Sequence, residues 1–223
     1  MPLIIALVLV AGTAVVAWFL WPRPQPPEPD FGPPTAAEVV VALEVRDRVP
    51  AAGFDRAHFG QTWADVDRNG CDTRNDILRR DLTDPVIKEG TRGCRVESGT
   101  LRDRYSGQAI PFERGGGLIE VDHVVSLSDA WQKGAQEWTV ERRTEFANDP
   151  LNLVATSRAL NQQKGPADAS SWLPPNPAYT CGYVARQATV KQRYGLWITK
   201  AEKKAMLRVL DECPEQPLTG DSD

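Results

Sequence analysis

Residues 2–21, PLIIALVLVAGTAVVAWFLW, carry no charged side chain, and roughly 20 apolar residues suffice to cross the ~30 Å core of a bilayer as a helix. The segment 22–34, PRPQPPEPDFGPP, is dominated by proline, which favours extended polyproline geometry and builds no packed core. Folding is thereby confined to one stretch, about Thr35 to Cys213, whose length suits a single domain. Residues 214–223, PEQPLTGDSD, are expected as a disordered tail. The apolar run reads as a transmembrane anchor with Trp18 and Trp21 at the interface. A cleaved signal peptide is the alternative, opposed by the lack of Lys or Arg ahead of the run and by its length. Either reading carries the domain out of the cytoplasm.

That destination decides how the four cysteines are read. Cys71, Cys94, Cys181 and Cys213 form no CxxC pair, which argues against a structural zinc site. An even number outside the cytoplasm implies two disulfides with three possible pairings; nearest neighbours, Cys71 with Cys94 and Cys181 with Cys213, are the expected partners. Helices are expected from Ala36 to about Arg46, where Thr35 and Glu38 form a capping box, over Asn75–Arg80, bounded by Pro85, and from Tyr179 to Tyr194. A last helix starts after Thr199, with Glu202 as capping-box partner, and runs to about Leu210. Cys94–Thr100 and Gln108–Phe112 read as the arms of a hairpin. The fold class is α+β.

The chemistry-bearing residues concentrate between Gly117 and Gly165. His123, one of only two histidines, follows Asp122 at the end of an alternating apolar run, Leu118, Ile119 and Val121, that reads as a strand. Adjacent strand residues point to opposite faces, so Asp122 and His123 converge only where the strand ends or bulges. Asn152 lies in a second apolar segment; Asn161 and Lys164 lie on a short helix closed by Gly165. Between the two strands, Ser128–Ala147 is helical by composition, with breaks expected at Gly134 or near Thr139. His58, in RAHFGQTW, has no spacing relation to this set and reads as structural.

The order Asp-His, then Asn, then Asn with Lys three residues on, resembles the HNH (ββα-metal) nuclease superfamily. More narrowly, DRNGCDTRNDIL, GTLRDRYSGQAIPF, VDHVVSLSDAW, FANDPLNL and NQQKG resemble the HNH-like domains related to the C-terminal part of GmrSD restriction endonucleases, over roughly Ala51 to Leu210. The resemblance implies a ββα-metal core with additional helices and a β-hairpin, and hydrolysis of DNA phosphodiesters with little sequence specificity. A neutral imidazole suits the activation of water, which makes His123 the candidate general base. Asp122 and the Asn161 oxygen are hard ligands that favour one Mg²⁺ or Mn²⁺ over zinc. Asn152 matches the central Asn of the motif, expected to hold the His-bearing loop. Lys164, Arg74 and Arg158 are the candidate phosphate contacts, and Glu120 is either a supporting group or a plain strand residue. The third motif position, often His, is Asn161 here.

A net charge of −4 is unusual for a tight duplex binder. The basic residues of the C-terminal third, such as Arg186, Lys191, Lys200, Lys203, Lys204 and Arg208, are expected either to line a groove beside the site or to form solvated helix faces. DNA is the expected partner, RNA or an envelope polymer the alternative substrate, and an inactive binding module the alternative class. The membrane is contacted only through the N-terminal segment, and no obligate protein partner is evident.

Overall fold

A computed structural model describes residues 33–220 as a mixed α+β domain with seven α-helices and two small antiparallel sheets. The anchor or signal at 2–21, most of the proline segment and residues 221–223 lie outside the described residues. Among the described residues, no helix is long and apolar enough to cross a membrane.

Helix α1 (Ala36–Ala42) starts at the expected capping box, Thr35 accepting from the Glu38 amide and Glu38 returning to the Thr35 amide. It stops short of Arg46 because the chain turns extended at Leu43 and Val45 forms a parallel bridge with Ile198. Helix α2 (Thr73–Asp81) runs straight into β1 (Leu82–Ile87), an element the sequence reading missed. Pro85 was expected to bound a helix; instead it sits in this edge strand, where the register slips between Thr83 and Val86 and Asp84 adopts φ +50°. An edge strand with a bulge is where a sheet tolerates a residue without an N–H. Strands β2 (Val96–Arg102) and β3 (Ala109–Glu113) form the expected hairpin, giving a sheet of order β1-β2-β3. The Cys71–Cys94 disulfide ties the loop before α2 to the entry of β2.

The second sheet is the centre of the domain. Strands β4 (Ile119–His123) and β5 (Leu153–Ser157) pair in unbroken register from Ile119↔Ser157 to His123↔Leu153. Period two splits their side chains between two buried layers. Ile119, Val121, Leu153 and Ala155 pack with Ile77, Leu78, Leu101 and Phe112 of α2 and the first sheet. Val154, on the other face, joins Tyr105, Tyr183, Val184 and Ala188 in a core under the C-terminal helices. The chain between the two strands forms α3 (Leu127–Trp131), a 3-10 turn over Ala135–Glu137 and α4 (Val140–Asn148). Both expected breaks are present: Gly134 takes φ +126°, and Thr139 caps α4 by accepting from the Arg142 amide.

After β5 come α5 (Arg158–Lys164), α6 (Pro177–Tyr194) and α7 (Lys200–Leu210). Thr199 caps α7 by accepting from the Glu202 amide, but the Glu202 carboxylate does not complete a capping box. It is fully buried instead, 2.5 Å from Lys133 and 2.7 Å from Lys191. Asp129 meets both lysines and Arg48, and Asp168 meets Lys133 and Arg48, so three acids and three bases neutralise one another between α3, α6, α7 and the loops after α1 and α5. Burying charge is tolerable only when it is paired in this way. The Cys181–Cys213 disulfide joins α6 to the end of α7. The segment expected as a tail is held down in part: Gln216 O accepts from the Ala36 amide, Pro217 bridges Thr35, and the Thr219 amide donates to Thr189 Oγ1.

Candidate active site

Strand β4 ends at His123, and there its neighbours reach one cavity of about 330 Å³ lined by Asp122, His123 and Asn161 together with Phe54, Arg56, Ser126 and Ser128. The convergence comes from the strand ending, without a bulge. The His123 Nε2–H donates to the Ala147 carbonyl at 2.8 Å. A carbonyl can only accept, so Nε2 carries the proton and, in the neutral ring, Nδ1 keeps its lone pair. Burial lowers the imidazole to about 4, with Arg56 and Lys164 pushing the same way against the Ala147 bond, which leaves the ring neutral at neutral pH. The Trp63 indole lies nearly parallel to the ring, centroids 6.4 Å apart.

Asp122 is held on both oxygens. Oδ2 accepts from the Tyr105 hydroxyl at 2.7 Å and Oδ1 from Lys164 Nζ at 3.0 Å. Burial raises its pKa, opposed by Lys164 and by the Tyr105 hydrogen bond. Lys164 also donates to His123 O at 2.8 Å and is itself fully buried. Its ammonium, expected to contact phosphate, is turned inward onto Asp122.

Asn161 Nδ2 donates to Glu120 Oε2 at 2.8 Å, and Arg158 Nε donates to Glu120 Oε1 at 2.9 Å. Glu120 thus orients both α5 side chains, and among the described residues no hydrogen-bond donor reaches the Asn161 oxygen, on a side chain that lines the cavity. Asn152 is bonded to the loop that follows His123. Its Oδ1 accepts from the Val125 amide at 2.8 Å, its Nδ2 donates to Val125 O at 3.2 Å, and its own carbonyl accepts from the Val124 amide. Arg80 and Arg186 donate to the carbonyls of Pro150 and Leu153, Arg186 also to Leu151, and so fix the turn that presents it. Arg74 lies beside Arg114 and Asp72, with burial and Arg114 lowering its pKa, and is not among the residues that line the cavity.

Three residues around the site had no signal in the spacing. Trp63 and Arg56 come from a segment far upstream of Asp122 with no spacing relation to it, and Tyr105 lies in the family-like stretch GTLRDRYSGQAIPF without any pattern that ties it to Asp122. Of the basic C-terminal residues, Arg186 and Lys191 are buried, against both expectations, while Lys200, Lys203, Lys204 and Arg208 lie on a helix face that lines a separate hollow with Val45, Leu207 and Asp211. His58 is exposed, with its ring 5.3 Å from that of Trp131.

The donors fit a divalent cation in kind. Asp122 and Asn161 offer hard oxygens into one cavity, and Mg²⁺ is commonly held by one or two carboxylates, with water and substrate phosphate completing its shell. Among the described residues, no three acidic, imidazole or thiol groups form an all-protein cage.

Fold and site together define a disulfide-stapled α+β domain presenting a neutral imidazole and oxygen donors in one cavity. Residues 72–209 match the family described as GmrSD restriction endonucleases, C-terminal domain, and the chain belongs to that family. It is also similar to an "Uncharacterized secreted protein" of Arthroderma benhamiae, 36% identical over 207 residues that cover 92% of this chain and 98% of the relative. No solved structure matches it.

Proposed function

We propose that the protein is an exported nuclease that hydrolyses DNA phosphodiesters with little sequence specificity. The observation that carries this reading is the state of His123: neutral, with Nε2–H committed to Ala147 O and Nδ1 left to accept a proton in a cavity shared with Asp122 and Asn161. In this reading His123 Nδ1 takes the proton of the attacking water. Asn152 keeps the loop after His123 in place through Val125, and Trp63 and Ala147 fix the ring plane. Asp122 and Asn161 would hold one Mg²⁺ or Mn²⁺, which supplies Lewis-acid neutralisation of the phosphate and the leaving oxygen. In this reading β4, β5 and α5 would serve as the ββα-metal core, and both the two disulfides and the secreted relative support an extracellular location.

Nicking of supercoiled plasmid by the full chain, with Mg²⁺, Mn²⁺ or EDTA, tests the reading. His123→Ala is expected to lower metal-dependent cleavage by about 100-fold or more while the protein stays folded. Equal cleavage by both proteins overturns the assignment of the base. A second reading, a binding module without turnover, is favoured by Lys164, which already places a cation on Asp122; DNA binding without cleavage under any metal would select it. Competition by RNA separates the two nucleic acids as substrate.

A further inference from the structure

Three cationic side chains approach the His123 cavity, and two are committed. Lys164 is enclosed between Asp122 and His123 O, and Arg158 is held by Glu120. Arg56 differs. It is exposed, and among the described residues that line the cavity it is the one cationic side chain. It also lines the adjoining small pocket, of about 30 Å³, shared by Trp63, His123 and Ala147, so it stands where the two hollows meet on the imidazole. Its guanidinium has no hydrogen-bond or ion-pair partner among the described residues. The backbone beneath it is well fixed. Arg56 opens a 3-10 turn, Arg56–Phe59, capped by Asp55, whose carboxylate accepts from the Ala57 amide at 2.8 Å. Phe59 is buried against Trp131 and Phe146, and Arg143 of α4 donates to His58 O at 2.8 Å.

The local charge balance asks for such a group. Lys164 is turned onto Asp122 and His123 O and Arg158 onto Glu120, so neither offers a free cation to an entering phosphodiester anion. We propose that Arg56 binds the scissile phosphodiester, donating from its guanidinium to a non-bridging oxygen beside His123. The identity of the ligand rests on the nuclease reading above; the assignment of an anion contact to Arg56 rests on the geometry alone. The fork of N–H donors suits an oxyanion better than an ammonium does, and a fixed backbone limits the entropy lost when the side chain engages.

The test is binding of a short labelled DNA strand to the full chain in EDTA, measured by fluorescence anisotropy across a salt series, for wild type, Arg56→Ala and Arg56→Lys. Cleavage is assayed in parallel. Arg56→Ala is expected to weaken binding by about tenfold and to reduce the slope of log affinity against log salt by about one, the signature of one lost phosphate contact. Arg56→Lys should keep the slope. In the cleavage assay Arg56→Ala should lose about 100-fold in kcat, as for a missing oxyanion donor, with partial rescue by added guanidinium. Wild-type affinity and slope in Arg56→Ala overturn the proposal even where cleavage is normal, and so does a wild-type protein that binds no strand. Loss of binding in Arg56→Ala alongside a wild type that cleaves nothing leaves the Arg56 contact standing and sinks the nuclease reading instead.

Discussion

At the scale of single residues, the site depends on where each hydrogen-bond donor is spent. In the proposed reading His123 can act as a base because its Nε2–H goes to a backbone carbonyl, and Asn152 holds the neighbouring loop because its amide answers both polar groups of Val125. Asn152→Ala strips the partner from the Val125 N–H and C=O together. Each buried group left unpaired costs about 1–3 kcal/mol, so urea unfolding should show at least that loss, with cleavage reduced by displacement of the loop. A wild-type midpoint would contradict the role. Asp122, His123, Asn152 and Asn161 were legible as candidates through their resemblance to the family's motif, and the structure sets Asp122, His123 and Asn161 around one cavity. Tyr105, Trp63 and Arg56 were not, since their positions depend on how remote loops close over β4. Lys164 was legible as a site residue, yet its inward orientation was not.

Between elements, the structural specificity of the C-terminal half lies in buried charge. Burial works against the ionisation of Asp168 and Asp129, but Lys133, Lys191 and Arg48 outweigh it and hold both carboxyls below the ordinary range. A carboxyl depressed in the folded state contributes stability that is present above its unfolded pKa of about 3.9 and is lost as pH falls through the folded value. Stability should therefore decline on acidification below about pH 4. Asp168→Asn should be destabilised at pH 7 while showing a shallower acid limb than wild type, read by denaturant unfolding at a series of pH values; an unchanged limb would assign acid sensitivity to other groups. The same network explains one misread element. Thr199 and Glu202 have capping-box spacing, but two buried lysines compete for the carboxylate more strongly than one half-buried backbone amide does. Pro85 misled for a comparable reason: a helix breaker and an edge-strand bulge look alike until the neighbouring strand is known.

For the whole molecule, two disulfides hold the N-terminal sheet and the C-terminal helices as separate loops around the central β4–β5 pair. Replacing Cys181 and Cys213 together by Ala should lower stability by about 2–4 kcal/mol, seen as a fall in Tm that reducing agent reproduces in part in the wild type; a reduced wild type with an unchanged Tm would show that packing alone holds α6 to α7. The sequence by itself determined the α+β class, the helix starts at Thr35 and Thr199, a break near Thr139, the β2–β3 hairpin and the presence of two disulfides. These follow from local rules: capping, period-two alternation, turn chemistry and the parity of cysteines. Only the tertiary structure decided which charges are buried with which, why Lys164 faces Asp122 and leaves Arg56 at the cavity, and which nitrogen of His123 carries its proton. Those outcomes depend on burial and on partners distant along the chain, and a side chain's neighbours across a core leave no period in the sequence.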